Sequence, residues 1–276
     1  MSIPVEPDNP QSEHYNPNNT IPFKRFDPNS LPLNFQMSIV LQRRGGKTTA
    51  VESMLEEFKK QNRFTHYFLI SQTLSGFVNQ IPETYRFTNT EVLPPVIKRQ
   101  QEITKFNKKQ KNKDKMKKSN ILFILDDIIG DGKDVKNSVY LRKLAVQGRH
   151  ITAGDPLENE TSIIIITQSL TAIPRVIRLQ NDATITGRVS SKPERKMYVE
   201  EFSTLKTDRE GMKEAYSTID NIVLSHPYRL AVSLNYKPNK RVYTDFIEYY
   251  DGNLDKRTHL FGDKYDWQVE RQDIEF

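Results

Sequence analysis

Residues 39–49 read IVLQRRGGKTT, a short apolar run that breaks into glycines and then into Lys47-Thr48. A phosphate-binding loop is spelled G-x-x-x-x-G-K-[ST]. Counting back five from Gly46 gives Leu41, so the leading glycine is missing. The flanks decide how much the departure matters. MSIVLQ (37–42) has the apolar run of a buried strand. KTTAVESMLEEFKKQ (47–61) places Ala50, Met54, Leu55 and Phe58 at helical spacing. A GKT string alone is common; one set between a buried strand and a helix is more specific. There, backbone N–H groups and the positive end of the helix hold phosphates. Arg44, Gly45, Gly46, Lys47, Thr48 and Thr49 are therefore the candidate nucleotide-binding residues. Lys47 would reach the β and γ phosphates of ATP, and Thr48 would ligate Mg²⁺.

Outward from that loop, strands and helices alternate. HYFLIS (66–71), NILFILDD (120–127), SIIIITQ (162–168) and DATITGRV (182–189) read as further strands. Three of them are apolar almost throughout, as strands buried on both faces are. EVLPPVIKRQQEITKFNKKQ (91–110) reads as a helix after its prolines, and VYLRKLAVQGRH (139–150) as a helix closed by Gly148. The alternation implies an α/β fold, a mostly parallel central sheet with helices on both faces. Towards the C-terminus, EGMKEAYSTIDNIV (210–223) reads as a helix, and YRLAVSL (228–234) and VYTDFIEYY (242–250) as strands. These extend the sheet edge or form a small cap. HYFLIS is expected to lie between the phosphate-loop strand and the acidic one, an insertion that favours RecA-like motor ATPases over simple kinases and GTPases.

The 276 residues suit one large α/β domain or one and a half small ones. Seven of the fifteen prolines lie in residues 1–33, which read as an extended arm. The expected ATPase domain spans 34–250, and 251–276 form a polar tail with the chain's only Trp. Without cysteine there is no disulfide framework and no thiolate metal site. No apolar run is long enough to span a bilayer, so no membrane insertion is expected. The N-terminus lacks the regions of a secretory signal, and an intracellular location is expected.

The net charge of +6 is not evenly spread. Residues 98–118, KRQQEITKFNKKQKNKDKMKK, hold ten of the 41 basic residues and two of the 35 acidic ones. Such a segment engages phosphate backbones through counterion release. It is equally the composition of a solvated linker. Both readings stand at this level.

In a parallel sheet, ligands bind at the carboxyl ends of the strands, and the polar candidates fall there. Asp126 and Asp127 end the third strand; the first would hold the Mg²⁺ shell, the second would orient or deprotonate the attacking water. Thr167-Gln168 ends the fourth strand, where an amide can sense the γ-phosphate or its water. Arg149 follows the helix after the carboxylates and is placed near the same edge, as a finger for a neighbour's nucleotide or as an ordinary surface residue. Arg175 and Arg178 are further candidates for a phosphate sensor or a DNA contact. His150 has no metal-ligand partner at a useful spacing and reads as structural.

These blocks resemble the genome-packaging ATPases of large double-stranded DNA viruses and virophages, within the FtsK/HerA group of P-loop motors. GRHITAGDPLENETSIIIITQSLTAIPRVIRLQND (148–182) is the strongest match, joined by SIVLQRRGGKTTAVESML (38–55) and ILFILDD (121–127). The resemblance covers roughly residues 20–190. It implies a RecA-like (ASCE) P-loop NTPase fold. It further implies ATP hydrolysis by a homo-oligomeric ring, a pentamer or hexamer, that drives double-stranded DNA through a capsid vertex into a preformed shell. By the same resemblance Asp127, Gln168 and Arg149 are catalytic, as base, sensor and trans-acting finger. The location it implies is host cell cytoplasm, viral factory or virion. Two departures stand out: Asp127 where many related motors have Glu, and a loop one residue short between its glycines, with Gln42 in the leading position. Two alternatives remain. One is an ATP-binding but weakly active or inactive subunit that binds DNA or docks on the capsid; the other is a different FtsK/HerA-type DNA translocase.

Overall fold

The computed structural model describes residues 21–72, 77, 80–127, 138–189, 191–226 and 228–251. The polar C-terminal stretch with the lone Trp, and the first twenty residues of the expected arm, lie outside them. In chain order the elements are β1 (Gln36–Val40), α1 (Lys47–Lys60), β2 (His66–Ser71), β3 (Arg86–Phe87), α2 (Leu93–Lys109), β4 (Ile121–Asp126), α3 (Val139–Ile151), β5 (Thr161–Thr167), α4 (Arg175–Arg178), β6 (Ala183–Thr186), α5 (Lys192–Tyr198), α6 (Arg209–Ser225), β7 (Arg229–Leu234) and β8 (Ile247–Asp251).

The strands form one sheet in the order β3-β2-β4-β5-β1-β6-β7-β8. The first six of that row are mutually parallel; β6–β7 and β7–β8 pair antiparallel. The C-terminal strands thus extend the sheet edge rather than forming a cap. One expectation needs correction. The strand standing between the phosphate-loop strand β1 and the acidic strand β4 is β5; HYFLIS, as β2, lies outside β4.

Strands β1, β2 and β5 are buried at every position. Helices on both faces account for this. On one face Tyr67 meets Phe64, which meets Phe58 of α1, with Phe35 stacked on Phe58. On the other, Phe68 packs on Tyr85, Phe87 and Phe123. Adjacent residues of a strand point to opposite faces, so Tyr67 and Phe68 report the two layers. Each such side chain fully buried is worth about 1.5–3 kcal/mol. A second core gathers Tyr198, Val199, Phe202, Ile219, Ile222 and Ala231 under α5 and α6. There α5 runs directly into a π-helical turn, Val199–Ser203, a feature that sequence periodicity does not signal.

Three local findings differ from the sequence reading. Gly148 does not close its helix: α3 continues to Ile151, and a Cβ at Gly148 would meet nothing within 4 Å. Residues 98–118 are not a loose linker, because α2 carries them to Lys109 and a hydrogen-bonded return leads into β4. Part of the expected arm, residues 21–33, packs on its own chain. Phe26 is fully buried, its N–H donates to the Tyr249 carbonyl at 2.7 Å, and Arg25 pairs with Glu57. Among the described residues no helix is long and apolar enough to cross a membrane.

Candidate functional site

The turn after β1 is built by its glycines and by one strained arginine. Gly45 N–H donates to the Gln42 carbonyl at 2.9 Å, closing a tight turn. A Cβ on Gly45 would lie 2.9 Å from that carbonyl oxygen, so no side chain fits without opening the turn. Arg44 (φ 65°) and Gly46 (φ 82°) both adopt the left-handed conformation. For Arg44 this costs on the order of 1–3 kcal/mol, a strain that clusters at functional sites. Gly46 caps α1 and has no side chain to offer its first-turn N–H groups.

Three neighbouring strand ends then meet. Lys47 opens α1 behind β1, and its Nζ lies 3.1 Å from Asp127 Oδ2 and 3.4 Å from Oδ1. Asp127 follows β4 in a left-handed conformation (φ 48°), and its N–H donates to the Ile166 carbonyl of β5. Gln168, just past β5, donates from Nε2 to the same Asp127 Oδ2 at 3.1 Å. The sheet order β4-β5-β1 sets these ends side by side. Asp126, one residue before, is half-buried on β4. Desolvation, then the Asp127 charge beside it, pushes its carboxyl up to about 6, against the opposing pull of Lys47. The site therefore holds two carboxylates in unlike environments, one deep and one turned outward beside an ammonium.

Past β5 the chain is held by Glu194 of α5. This residue was not singled out in the sequence. Its carboxylate accepts from the Ser169 hydroxyl at 2.6 Å, the Thr171 hydroxyl at 3.0 Å and the Leu170 N–H at 2.7 Å. Thr167, by contrast, turns its hydroxyl to the Ser169 carbonyl, leaving the polar end of β5 to Gln168. Beside the phosphate turn, between Gln42, Gly187, Arg188, Tyr198, Val223 and Leu224, opens a cavity of about 340 Å³. None of these residues forms a recognisable string, and only the folding of α5 and α6 over β6 brings them together.

Two arginines need correction. Arg149 is not at the carboxyl edge. Helix α3 leaves that edge and runs back, so Arg149 in its last turn reaches the amino ends of β1 and β6. There its Nη2 pairs at 2.5 Å with Asp182, whose other oxygen accepts the Gln36 N–H. Burial raises the Asp182 carboxyl, which the Gln36 N–H and then Arg149 oppose. Arg178 is buried and bidentate on Glu201, at 2.8 and 2.7 Å, with a third bond to the Ile173 carbonyl. That fixes α4 to the π-helical turn and leaves Arg178 no free edge for phosphate or DNA. Arg175 and His150 are exposed. Among the described residues no group of three or more His, Cys, Asp or Glu side chains is placed to hold a metal by itself.

A glycine-bent turn into a helix, a lysine, and an acidic strand set one strand away from it define a P-loop NTPase of the class that carries an additional strand beside the phosphate loop. The chain belongs to the family described as Poxvirus A32 protein, whose model matches residues 23–191. No curated protein sequence matches the chain. Among solved structures, the genome packaging NTPase B204 from Sulfolobus turreted icosahedral virus 2, in complex with sulfate, is similar. Its TM-score is 0.50 at 11% identity, over 82% of this chain and 100% of that one. The pCW3 conjugation coupling protein TcpA, with ATPγS, has TM-score 0.51 at 12% identity, over 86% of this chain and 65% of that one. At these identities the likeness is one of fold.

Proposed function

We propose that the chain is an ATP-driven translocase that packages double-stranded viral DNA into a preformed capsid. The observation that carries this reading is the meeting of Lys47, Asp127 and Gln168 at three adjacent strand ends. Membership of the A32 family and the packaging role named for B204 support the polymer and the destination.

The residues fit a nucleoside triphosphate. The Gly45 turn leaves backbone where a Cβ would collide, and α1 begins at a glycine cap that offers its first N–H groups no side chain. A helix start of this kind favours anions. The residues also fit Mg²⁺, since the Thr48 hydroxyl and Asp126 carboxylate are hard oxygen donors of the sort Mg²⁺ shares with phosphates. When bound, the ion neutralises charge on the β and γ oxygens. The phosphates compete with Asp127 for the Lys47 ammonium. Asp127, still hydrogen-bonded to Gln168, is then free to orient water and take its proton. Gln168 couples that carboxylate to whatever occupies the γ position. The cavity beside Gln42 is of a size for the nucleoside end.

Arg149 lies at the far edge of its own sheet, so a role in hydrolysis places it against the nucleotide of the next subunit in a homo-oligomeric ring, pentameric or hexameric. Docking on a capsid vertex, in the host cell cytoplasm or a viral factory, completes the reading.

One observation favours a second reading, a weakly active ATP-binding subunit. Gly45 N–H is already committed to Gln42, which removes a donor from a loop one residue short. ATP turnover with and without duplex DNA separates the two. The motor hydrolyses Mg-ATP, faster with duplex; tight ATP binding with no turnover under either condition favours the second.

A further inference from the structure

The lysine-rich segment finds no use in the nucleotide site, and its placement is informative. Helices α2 and α3 run side by side from the carboxyl edge of the sheet to the amino edge. Thr90 and Ser138 meet near their starts, at 3.3 Å, and Lys108 Nζ donates to the Ala153 carbonyl near their ends, at 2.7 Å. The chain then returns to the amino end of β4, so the lysines gather on the edge opposite Lys47.

That return is clamped. The Asn107 side chain accepts from Lys117 N–H at 2.8 Å and donates to the Lys117 carbonyl at 2.9 Å. It also donates to the buried Asp155 carboxylate. Ser119 Oγ donates to Gln100 at 2.7 Å, and Ser119 N–H to Asn159 at 2.8 Å. The segment is therefore a fixed surface carrying exposed Lys105, Lys109, Lys111, Lys113, Lys115 and Lys118. Among the described residues these six make no ion pair, and the nearby Glu102 is turned to Arg99 at 3.9 Å. Over 98–118 the two acids, Glu102 and Asp114, stand against ten bases, so the surface keeps a large excess of positive charge and its mutual repulsion. A polyanion relieves it.

We infer that this clamped lysine surface, on the sheet edge opposite the nucleotide site, is where the chain grips the phosphate backbone of duplex DNA. The inference rests on the translocase reading. A lipid surface fits less well: Phe106 is the one large apolar side chain exposed over 105–118, and membrane-lying segments need an apolar face.

The test is titration of the full chain with a short labelled DNA duplex between about 50 and about 200 mM salt. Wild type is compared with Lys109, Lys111, Lys113 and Lys115 all changed to Gln. A control changes Lys192, Lys196, Lys206 and Lys213 to Gln on the α5–α6 side. Each lost phosphate contact lowers the slope of log affinity against log salt by about 0.9. The first variant is expected to lose about two to four slope units and at least about tenfold in affinity. Its DNA-free ATP turnover should stay unchanged, because the substituted residues lie away from the site, and the control should bind as wild type. An unchanged slope in the first variant overturns the inference, as does a loss confined to the control or to a parallel titration with phosphatidylserine vesicles. If duplex still stimulates turnover in those cases, the translocase reading survives and only the surface is wrong. If wild type binds no duplex, both fall.

Discussion

Lys47 and Asp127 are 80 positions apart in the chain, yet the lysine ammonium sits 3.1 Å from the aspartate Oδ2. The pair joins the end of β1 to the end of β4 across the intervening β5, and Gln168 at the end of β5 donates to the same oxygen. Each partner has a separable role, so each makes a separate prediction.

Gln168→Ala removes the amide that holds Asp127. Turnover should fall at least about tenfold, with the 10²–10⁴ that positioned proton transfer supplies as the upper bound. Mg-ATP affinity should change little, because Gln168 reaches a carboxylate and not the phosphate turn. Steady-state kinetics and equilibrium binding read the two effects apart.

Gly45→Ala puts a Cβ 2.9 Å from the Gln42 carbonyl oxygen. The turn must open, and the N–H groups it aims are displaced. Mg-ATP should bind at least tenfold more weakly, about 1.4 kcal/mol. The melting temperature should hardly move, because the position is exposed and outside the core.

Arg178→Ala should act on stability and not on DNA binding. The guanidinium is buried and bidentate on Glu201. Breaking a buried pair from one side costs about 3–5 kcal/mol, which denaturant titration would measure. Normal stability with weakened DNA binding would return Arg178 to the role the sequence suggested for it.

Arg149→Ala has a signed pH dependence. Asp182 is buried and its folded carboxyl is already raised, and Arg149 is one of the groups opposing that rise. Without Arg149 the carboxyl rises further, so the folded state favours the protonated form more than the unfolded chain does. The variant should match wild type where Asp182 is protonated and lose stability as pH climbs through the raised folded value. The loss should plateau at about 1 kcal/mol, since Arg149 is largely exposed. Mixing Arg149→Ala with Lys47→Ala subunits should recover turnover if Arg149 serves a neighbour's nucleotide.

Much of this site was legible because buried parallel strands read as unbroken apolar runs. In ILFILDD and SIIIITQ the residues that meet at the site, Asp127 and Gln168, close the motif just after the apolar run. What sequence could not convey was lateral order. Nothing in β2 or β5 says which one stands beside β1, and that choice puts Gln168 within reach of Asp127. Direction was legible but misread for Arg149. A helix of 13 residues is about 20 Å long, enough to cross from one sheet edge to the other. Gly148 misled because its backbone is ordinary helix and its missing side chain faces open space. The sequence left the lysine-rich segment open between a polyanion contact and a linker, because its ordering comes from Gln100, Asn107 and Asp155. These polar contacts lie 19 and 48 positions apart, and no local pattern announces them.

The central claim is that Asp127 activates water for ATP hydrolysis beside a lysine that binds phosphate. The most direct measurement is Mg-ATP affinity and turnover for wild type and Asp127→Asn under the same conditions, with duplex DNA present. Both should bind ATP with similar affinity, and the Asn variant should lose at least about 10²-fold in turnover. Turnover at the wild-type rate in Asp127→Asn would contradict it.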